Sequence, residues 1–232
     1  MNITMIHGQN HKGSSYHMGR MMAQKLAGEE EITEFFLLRD LNHFCTGCYR
    51  CIEDETACPF YAEKKLILEA MEQSDLLIFT TPTYCMAPSA SMKALLDLLF
   101  DCWMVHRPKA WMFQKRAVVL STAAGGGSGA AIKGVRQSLR YWGVSDIKGY
   151  GANLQAMNWE MVKEQNKQKV ERDLTRLAKR IKRKNFPKTG IKTRALFFVM
   201  RGMHAAGWDS SPVEKRYWQE RGWLGKDRPW RW

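Results

Sequence analysis

Four cysteines crowd into one short segment and form the sharpest residue spacing in the chain. Cys45, Cys48 and Cys51 follow one another at three-residue steps, and Cys58 stands directly before Pro59. Three thiolates at this spacing can wrap one face of an iron–sulfur cubane, and a fourth can close the site. Zinc also binds four thiolates, although usually from two separated pairs, and Cys48 with Cys51 could form a thiol–disulfide switch. The motif predicts metal or redox chemistry, with idle or oxidisable thiols as the alternative.

A second candidate for chemistry is the stretch between a short apolar run, residues 2–7, and a helical pattern that begins near residue 14. Glycines here let the backbone approach a ligand closely, hydroxyls donate hydrogen bonds, and a helix N-terminus favours an anion. The stretch lacks the Gly-Lys-Ser/Thr of a Walker A loop and the third glycine of a Rossmann loop. It fits either a phosphate cradle or an ordinary strand-to-helix turn with a serine cap. The residues that we expect to contact a phosphate are Gly8, Gln9, Asn10, His11, Gly13, Ser14, Ser15 and Tyr16.

Two further loops carry a family resemblance. Residues 81–93 resemble the flavin-binding loop, written S-P-x-Y-x-x-x-x-S-A-x-M-K, of the NAD(P)H-dependent FMN reductase and flavodoxin-like family. Residues 122–127 resemble the third loop of that family, which reaches the edge of the flavin ring. The residues that match in the first of these loops are Thr81, Pro82, Thr83, Tyr84, Ser89, Ala90, Met92 and Lys93.

The loop after residue 7 matches the phosphate motif of the same family only in part. Gly8 and Ser14 agree with it, whereas Gln9, His11 and Tyr16 depart from it. The resemblance therefore supports the loop as a whole more firmly than its individual phosphate donors.

The resemblance covers roughly residues 1–150 and implies FMN rather than FAD, with NAD(P)H as co-substrate. It implies an oxidoreductase in which hydride passes from the nicotinamide to flavin N5 and then to an acceptor. No side chain stands out as a general acid or base, so no catalytic side chain is predicted. The residues that the resemblance places around the flavin ring are Pro82, Thr83, Tyr84, Cys85, Met86, Thr122, Ala123, Ala124, Gly125 and Gly126.

The cysteine motif resembles that of the iron–sulfur flavoproteins, a branch of the same fold in which a 4Fe-4S cluster passes electrons to FMN. This resemblance implies that Cys45, Cys48, Cys51 and Cys58 are cluster ligands. The alternative function is then an electron carrier that exchanges single electrons with a ferredoxin-like partner. A redox-sensing binding protein is a third class. Members of the family are commonly dimers or tetramers, so we expect a homodimer or a homotetramer.

Strand and helix patterns alternate along the first two thirds of the chain, which implies a parallel sheet with right-handed crossovers. We expect a flavodoxin-like α/β fold, with a five-stranded parallel sheet in the order 2-1-3-4-5, helices on both faces and a helical C-terminal extension. Ligands of such sheets bind beyond the carboxyl ends of the strands, where the three loops would meet. Strands are predicted at 2–7, 32–38, 76–79, 117–120 and 144–150, a strand break at 80–83, a loop at 39–60, and helices at 14–28, 61–73, 89–104, from the glycine-rich turn to about 142, and 158–184.

The C-terminal third is basic and rich in tryptophan. Residues 160–232 carry a net charge of +12, against +1 for residues 1–159. A long basic helix is usually a solvated surface, but it could also dock an acidic electron-transfer protein or anionic lipid. We expect residues 1–186 to form the FMN-binding domain, and residues 187–232 to form a Trp-rich extension that packs on this domain or on a dimer partner. No RNA-binding motif accompanies the charge, so nucleic acid is not expected.

The length of 232 residues suits one domain with an appendage, and the composition, 45% hydrophobic and 25% charged, is that of ordinary globular proteins. The first residues lack the features of a signal peptide, and no run of 18 apolar residues predicts a membrane span. We expect a cytoplasmic protein, in which the six cysteines stay reduced.

Overall fold

The computed structural model describes residues 1–183 and 189–231. Its centre is a parallel sheet in the order β2-β1-β3-β5-β6, which is the expected order 2-1-3-4-5 when only the parallel strands are counted. A two-residue strand, β4, pairs antiparallel with the end of β3 and is absent from the prediction. The strands are β1 (Ile3–His7), β2 (Ile32–Phe36), β3 (Leu76–Tyr84), β4 (Ala87–Pro88), β5 (Arg116–Ala123) and β6 (Asp146–Asn153).

Helices cover both faces of the sheet, as expected for a flavodoxin-like fold. On one face Ile3 and Met5 of β1 pack in a cluster with Met18, and on the other face Ile6 packs in a cluster with Leu95. Because β1 is covered on both faces, its five residues are all buried, including the polar Thr4 and His7. The helices are α1 (Ser14–Gln24), α2 (Arg50–Glu53), α3 (Tyr61–Gln73), α4 (Ala90–Leu98), α5 (Ser128–Tyr141), α6 (Glu164–Lys182), α7 (Ile191–Ala205) and α8 (Pro212–Glu220).

The predicted strand break at 80–83 is wrong, because β3 continues through Pro82. The backbone oxygen of Thr80 faces β1 and accepts a hydrogen bond from the amide of Gly8. The backbone groups of alternate residues in a strand point to the same side, so the nitrogen of Pro82, like the carbonyl of Thr80, faces the side of β3 on which β1 lies. Because β1 ends at His7, no residue of β1 lies opposite the nitrogen of Pro82, and the missing amide hydrogen breaks no bond to β1. The strand continues there along β5, where Pro82 pairs with Thr122.

Other elements also differ from the prediction. The helix predicted at 14–28 ends at Gln24, and the strand predicted at 144–150 is Asp146–Asn153. The helix predicted at 89–104 ends at Leu98, and a 3-10 turn follows at Phe100–Cys102. The basic helix α6 begins at Glu164 rather than at 158. The cysteine segment, predicted as a loop, contains the single-turn helix α2 and a 3-10 turn at Glu55–Ala57.

Helices α7 and α8 pack against the segment that connects α4 to β5. Met104 and Phe113 of that segment form a third apolar cluster with Phe197, Trp218 and Trp223. The indole of Trp218 also donates a hydrogen bond of 2.8 Å to a backbone carbonyl of the segment, that of His106. Two of the predicted tail tryptophans are therefore buried against the rest of the chain.

The boundary predicted between residues 186 and 187 lies outside the described residues, as does Trp232. The division into a flavin-binding domain and an extension remains a prediction. Trp208 is 72% exposed, unlike Trp218 and Trp223. In the two described stretches of the chain, no helix is both long and apolar enough to cross a membrane.

Candidate functional site

Gly8 directly follows β1, at a point where three chain segments meet. Its amide donates a hydrogen bond of 2.7 Å to the carbonyl of Thr80, and its carbonyl accepts hydrogen bonds from the hydroxyls of Ser89 (2.7 Å) and Ser91 (2.6 Å). A Cβ atom at this position would lie 2.6 Å from the Ser89 oxygen and 3.2 Å from the Cβ of Met92. The loop after β1 therefore needs glycine here, because the start of α4 approaches it too closely for any side chain.

The loop then runs into the N-terminus of α1. Gly13 is the N-cap, the first turn holds no acidic residue, and no described side chain bonds to the first amides of the helix. These amides, which a helix leaves without internal partners, favour an anion. The arrangement fits a phosphate group. Of the predicted first-loop residues, Asn10 and His11 are exposed, Gln9, Gly13, Ser14 and Tyr16 are half-buried, and Gly8 and Ser15 are buried.

A buried polar network beneath this loop was missed by the sequence reasoning. His7 lies between Thr80 and Glu34, with ring nitrogens 2.8 Å from an oxygen of each, and Arg20 donates a hydrogen bond of 2.8 Å to Glu34. The ring of Tyr16 packs on His7, with centroids 5.1 Å apart. Burial alone would raise the pKa of Glu34, but His7 and Arg20 outweigh it and hold the pKa below its usual value. The sequence signal that could have indicated this network is His7, a histidine at the end of a buried strand.

The hairpin between β3 and β4 presents the second loop. Cys85 and Met86 both have positive φ, 49° and 62°, and Tyr84 pairs with Ala87 across the turn. Two central residues with positive φ are typical of a type I′ turn, which usually takes Asn-Gly. Cys and Met in this conformation are strained, as is common at ligand-binding loops. Tyr84 and Met86 are exposed, with 49% and 64% of their surfaces accessible, so both can contact a planar ligand.

The third loop contacts the hairpin directly. Gly127 has a φ of 90°, and a Cβ atom there would lie 2.6 Å from the sulfur of Met86 and 3.1 Å from Cγ2 of Thr83. The hydroxyls of Thr83 and Ser121 are 2.9 Å apart and hydrogen-bonded. The structure thus brings the three predicted loops to one edge of the sheet, beyond the ends of β1, β3 and β5. Within the third loop, Thr122 and Ala123 are buried, and Ala124, Gly125 and Gly126 are exposed.

The four motif cysteines differ in exposure. Cys45 and Cys48 are exposed, and Cys51 and Cys58 are half-buried, all as free thiols. Among the residues that the structure describes, no group of three or more Cys, His, Asp or Glu side chains has the arrangement of a metal site. The assignment of Cys45, Cys48, Cys51 and Cys58 as ligands of a metal cluster remains a prediction.

The thiols of the motif differ in acidity. A hydrogen bond from the backbone amide of Arg50 lowers the pKa of Cys48 below its usual value. Burial, with the nearby carboxylate of Asp101 as a second cause, raises the pKa of Cys51 to about 11. Cys48 is therefore the more reactive of these two thiols when no metal is bound, because the thiolate is the nucleophilic form.

A cavity of about 650 Å³ joins the cysteine segment to the flavin-loop hairpin. Its volume is in the range of small-molecule pockets. All four motif cysteines line it, opposite residues of β4, α4 and α5. Its apolar lining is formed by Pro59, Phe60, Ala87, Pro88, Leu96, Leu98, Phe100 and Trp103, and polar groups come from Lys93, Asp97, Gln137 and Ser138.

The cysteine segment is also fastened to the segment on which α8 packs. Arg107 donates a hydrogen bond to the backbone carbonyl of Cys51, and Lys109 pairs with Glu55. The same segment accepts the indole hydrogen bond of Trp218. The C-terminal helices thus support the wall of the cavity through residues 106–109.

Residues 1–157 match the family model described as NADPH-dependent FMN reductase. A curated relative, an iron-sulfur flavoprotein of Methanocaldococcus jannaschii, is 33% identical over 119 residues, which are 50% of this chain and 57% of the relative. The chain therefore spans little more than half the length of the curated relative that it matches.

Solved structures share the fold at low sequence identity. An FMN-dependent NADH-azoreductase of Bacillus anthracis, determined in complex with FMN, has a TM-score of 0.55 at 13% identity, over 77% of this chain and 100% of that one. An NAD(P)H:quinone oxidoreductase of Methanothermobacter marburgensis has a TM-score of 0.57 at 14% identity, over 80% of this chain and 98% of that one. These similarities confirm the flavodoxin-like α/β fold.

Proposed function

The chain belongs to the NADPH-dependent FMN reductase family, and we propose that it is an FMN-dependent oxidoreductase that oxidises NAD(P)H and passes the electrons to a second acceptor. When bound, FMN supplies a ring that accepts hydride and releases electrons singly or in pairs. The chain's own residues bind and orient this ring and admit the two substrates.

The observation that carries the proposal is the contact among the three loops. The carbonyl of Gly8 is held by two serine hydroxyls of the second loop, and Gly127 of the third loop packs on Met86. A ligand that touches all three loops therefore meets a surface whose parts are fixed relative to one another, which lowers the cost of ordering them on binding.

Each loop has a role that its chemistry supports. The amides at the start of α1, near Ser14, would bind the phosphate. Tyr84 and Met86 would flank the ring, and the exposed backbone of residues 124–126 would reach its edge. No protein side chain is assigned as a general acid or base.

The cavity beside the hairpin is our candidate for the site of the electron acceptor. Ala87 and Pro88 line it directly after the residues that would flank the flavin, and Phe60, Phe100 and Trp103 give it aromatic walls. Such walls favour an apolar or aromatic acceptor.

Ligand binding and anaerobic reduction test the proposal. FMN should bind with quenched fluorescence, and NADPH or NADH should bleach the bound flavin in the absence of oxygen. Riboflavin, which lacks the phosphate, should bind more weakly than FMN. Ser14→Asp places a carboxylate at the proposed phosphate site and should weaken FMN binding much more than riboflavin binding. Equal affinities of the wild type for the two flavins would contradict the phosphate site.

We propose a second function, an electron carrier with a 4Fe-4S cluster at Cys45, Cys48, Cys51 and Cys58. It is supported by the 33% identity with the iron-sulfur flavoprotein and by the fact that all four cysteines line one cavity. The chemistry of four thiolates fits such a cluster, which would supply one-electron transfer.

Anaerobic purification with iron and sulfide analysis separates the two functions. The carrier predicts about four irons per chain, lost in Cys48→Ser and kept in Cys85→Ser, whose thiol is exposed but outside the motif. Iron-free protein whose flavin is bleached by NADPH would instead identify a simple reductase.

We further propose that the chain is cytoplasmic and forms a homodimer or homotetramer, with residues 187–232 as an extension of the flavin-binding domain. The free thiols and the family support the first two points. Light scattering on the purified protein tests the oligomeric state, and fractionation of cells tests the location.

A further inference from the structure

Helix α7 is apolar on two opposite faces. Its inward face packs Phe197 and Met200 into the third apolar cluster, together with the buried His204. A second apolar stripe faces outward, and 83% of Ile191, 46% of Phe198 and 58% of Val199 are accessible. At 100° per residue, the outward positions lie within one third of the helix circumference. They are Ile191, Ala195, Phe198, Val199, Gly202 and Ala205, all of them exposed.

Cations border this outward stripe on both sides. The same helical spacing places Lys192 along one edge, and Arg194 and Arg201 along the other. The guanidinium of Arg228, from the segment after α8, lies over the ring of Phe198 at 5.2 Å.

The sequence around the stripe is uniformly basic. From Lys179 to Trp208 it holds nine Lys or Arg residues and no Asp or Glu. Trp208, just beyond the end of α7, is 72% exposed. An apolar stripe with a basic border and a nearby exposed tryptophan is the pattern of a helix that lies in a membrane interface.

We propose that the outward face of α7 docks on the surface of a bilayer that contains anionic lipid. The apolar stripe would enter the boundary between headgroups and acyl chains, while the exposed Lys192 and Arg194 would contact lipid phosphates. The guanidinium of Arg201 is held by backbone carbonyls of Trp223 and Leu224 and would add its charge at the edge of the stripe. This inference goes beyond the proposed redox function and does not depend on it, since none of these residues lines the three loops or the cavity.

Charge favours a lipid surface over a second copy of the chain. Two copies meeting through this face would bring Lys192, Arg194 and Arg201 of both together, and α7 has no acidic side chain to pair with them. Cations that face each other across such an interface repel, whereas a surface of anionic phosphates neutralises them.

Co-sedimentation of the full-length protein with lipid vesicles tests the inference. We expect binding to vesicles of phosphatidylcholine with one quarter phosphatidylglycerol, weak binding to phosphatidylcholine alone, and release at high salt. Lys192→Glu should weaken binding by about thirty-fold, since each cation near an anionic surface contributes about a factor of five. Val199→Ser should also weaken binding, because it removes an apolar group from the stripe.

Two matched variants separate this face from general effects. Lys163→Glu makes the same charge change before α6, and Leu66→Ser removes an apolar side chain of similar exposure, 60%, from α3. Both should bind vesicles as the wild type does. Equal binding to both kinds of vesicle, equal losses in the control variants, or a soluble dimer that Val199→Ser dissociates without any vesicle binding would each overturn the proposal.

Discussion

The hydroxyl of Ser89 donates a hydrogen bond of 2.7 Å to the backbone carbonyl of Gly8. This contact joins the end of β1 to the start of α4, two segments that are 81 residues apart in sequence. Ser89 also caps α4 by accepting a hydrogen bond from the amide of Met92. One serine therefore fixes both the second loop and the first, and the proposed flavin site depends on it.

Gly8→Ala should damage both folding and flavin binding. The added Cβ would lie 2.6 Å from the Ser89 oxygen and 3.1 Å from the carbonyl of Thr80, and both atoms are buried. Overpacking of this kind costs about 1–3 kcal/mol. Urea denaturation should show that loss, and FMN titration should show weaker binding.

Gly129→Ala is the matched control for Gly8→Ala. No described atom lies within 4 Å of the Cβ that this change adds on α5. Alanine is the better helix former, but Gly129 lies in the first turn of α5, so stability should stay the same or rise by less than about 1 kcal/mol. A Gly8→Ala protein as stable as the control would contradict the close approach at β1.

Glu34→Gln should destabilise the protein near neutral pH by about 1–3 kcal/mol, because it weakens charged hydrogen bonds to His7 and Arg20. The pKa of Glu34 is lowered in the folded state. Its contribution is therefore fully present above its unfolded pKa and is lost as the pH falls through the folded value. The difference in unfolding free energy between wild type and variant should shrink as the solution is acidified below pH of about 4.

The exposed pair of Lys65 and Glu69 supplies the comparison for Glu34. Glu69→Gln should change stability by less than about 1 kcal/mol. If the wild type and Glu34→Gln lose stability in parallel on acidification, the carboxylate does not contribute as described.

Local sequence patterns were enough to predict the order of the parallel strands and the positions of the three loops. The buried strands read as apolar runs, and Gly8 and Gly127 mark the turns that follow two of them. Parallel strands bring their carboxyl ends to one edge, so the meeting of the loops follows from topology alone. The individual flavin contacts predicted within those loops remain predictions.

Long-range pairings could not be predicted. The bond from Arg107 to Cys51 and the pair of His7 with Glu34 join segments whose distance depends on tertiary packing. Pro82 misled the strand prediction, because only the final sheet shows that its nitrogen faces a position beyond the end of β1. The outward apolar face of α7 could not be predicted either, because an apolar run in the sequence does not indicate which side of the helix is buried.

Gly134→Leu should partly fill the cavity and hinder the acceptor. Gly134 lines the cavity on α5, and a Cβ atom added there would have the ring of Pro88, at 3.5 Å, as its nearest neighbour beyond the helix. A leucine side chain would extend past this contact into the cavity. Steady-state kinetics should show a higher KM for an aromatic acceptor such as menadione, with little change in the rate at which NADPH bleaches the flavin.

Gly134→Ala controls for the helix itself. Its Cβ makes only an ordinary contact with Pro88, so KM for the acceptor should stay unchanged and stability should rise slightly. An equal rise in KM for the small, polar acceptor ferricyanide in Gly134→Leu would argue against the cavity as the acceptor site.

Glu214→Gln tests how firmly the C-terminal helices support the cavity wall. Glu214 is fully buried, lies 2.5 Å from Nδ1 of His106, and accepts hydrogen bonds from the amides of Ser210 and Ser211. Burial would raise the pKa of Glu214, but these partners outweigh it and lower the pKa. The stability that ionised Glu214 contributes is thus fully present above the pKa of this carboxyl in the unfolded chain, and it is lost as the pH falls through its lower pKa in the folded protein.

Glutamine can still complete the capping box of α8, so Glu214→Gln isolates the charge. We expect a loss of about 2–4 kcal/mol near neutral pH, because the buried His106 loses its charged partner. Glu220→Gln, at the exposed end of the same helix, should change stability by less than about 0.5 kcal/mol.

Because His106 adjoins Arg107, which holds Cys51, Glu214→Gln should also increase the rate at which Cys51 reacts with a maleimide. A destabilised variant with an unchanged Cys51 rate would show that the C-terminal helices stabilise the chain without supporting the cysteine segment.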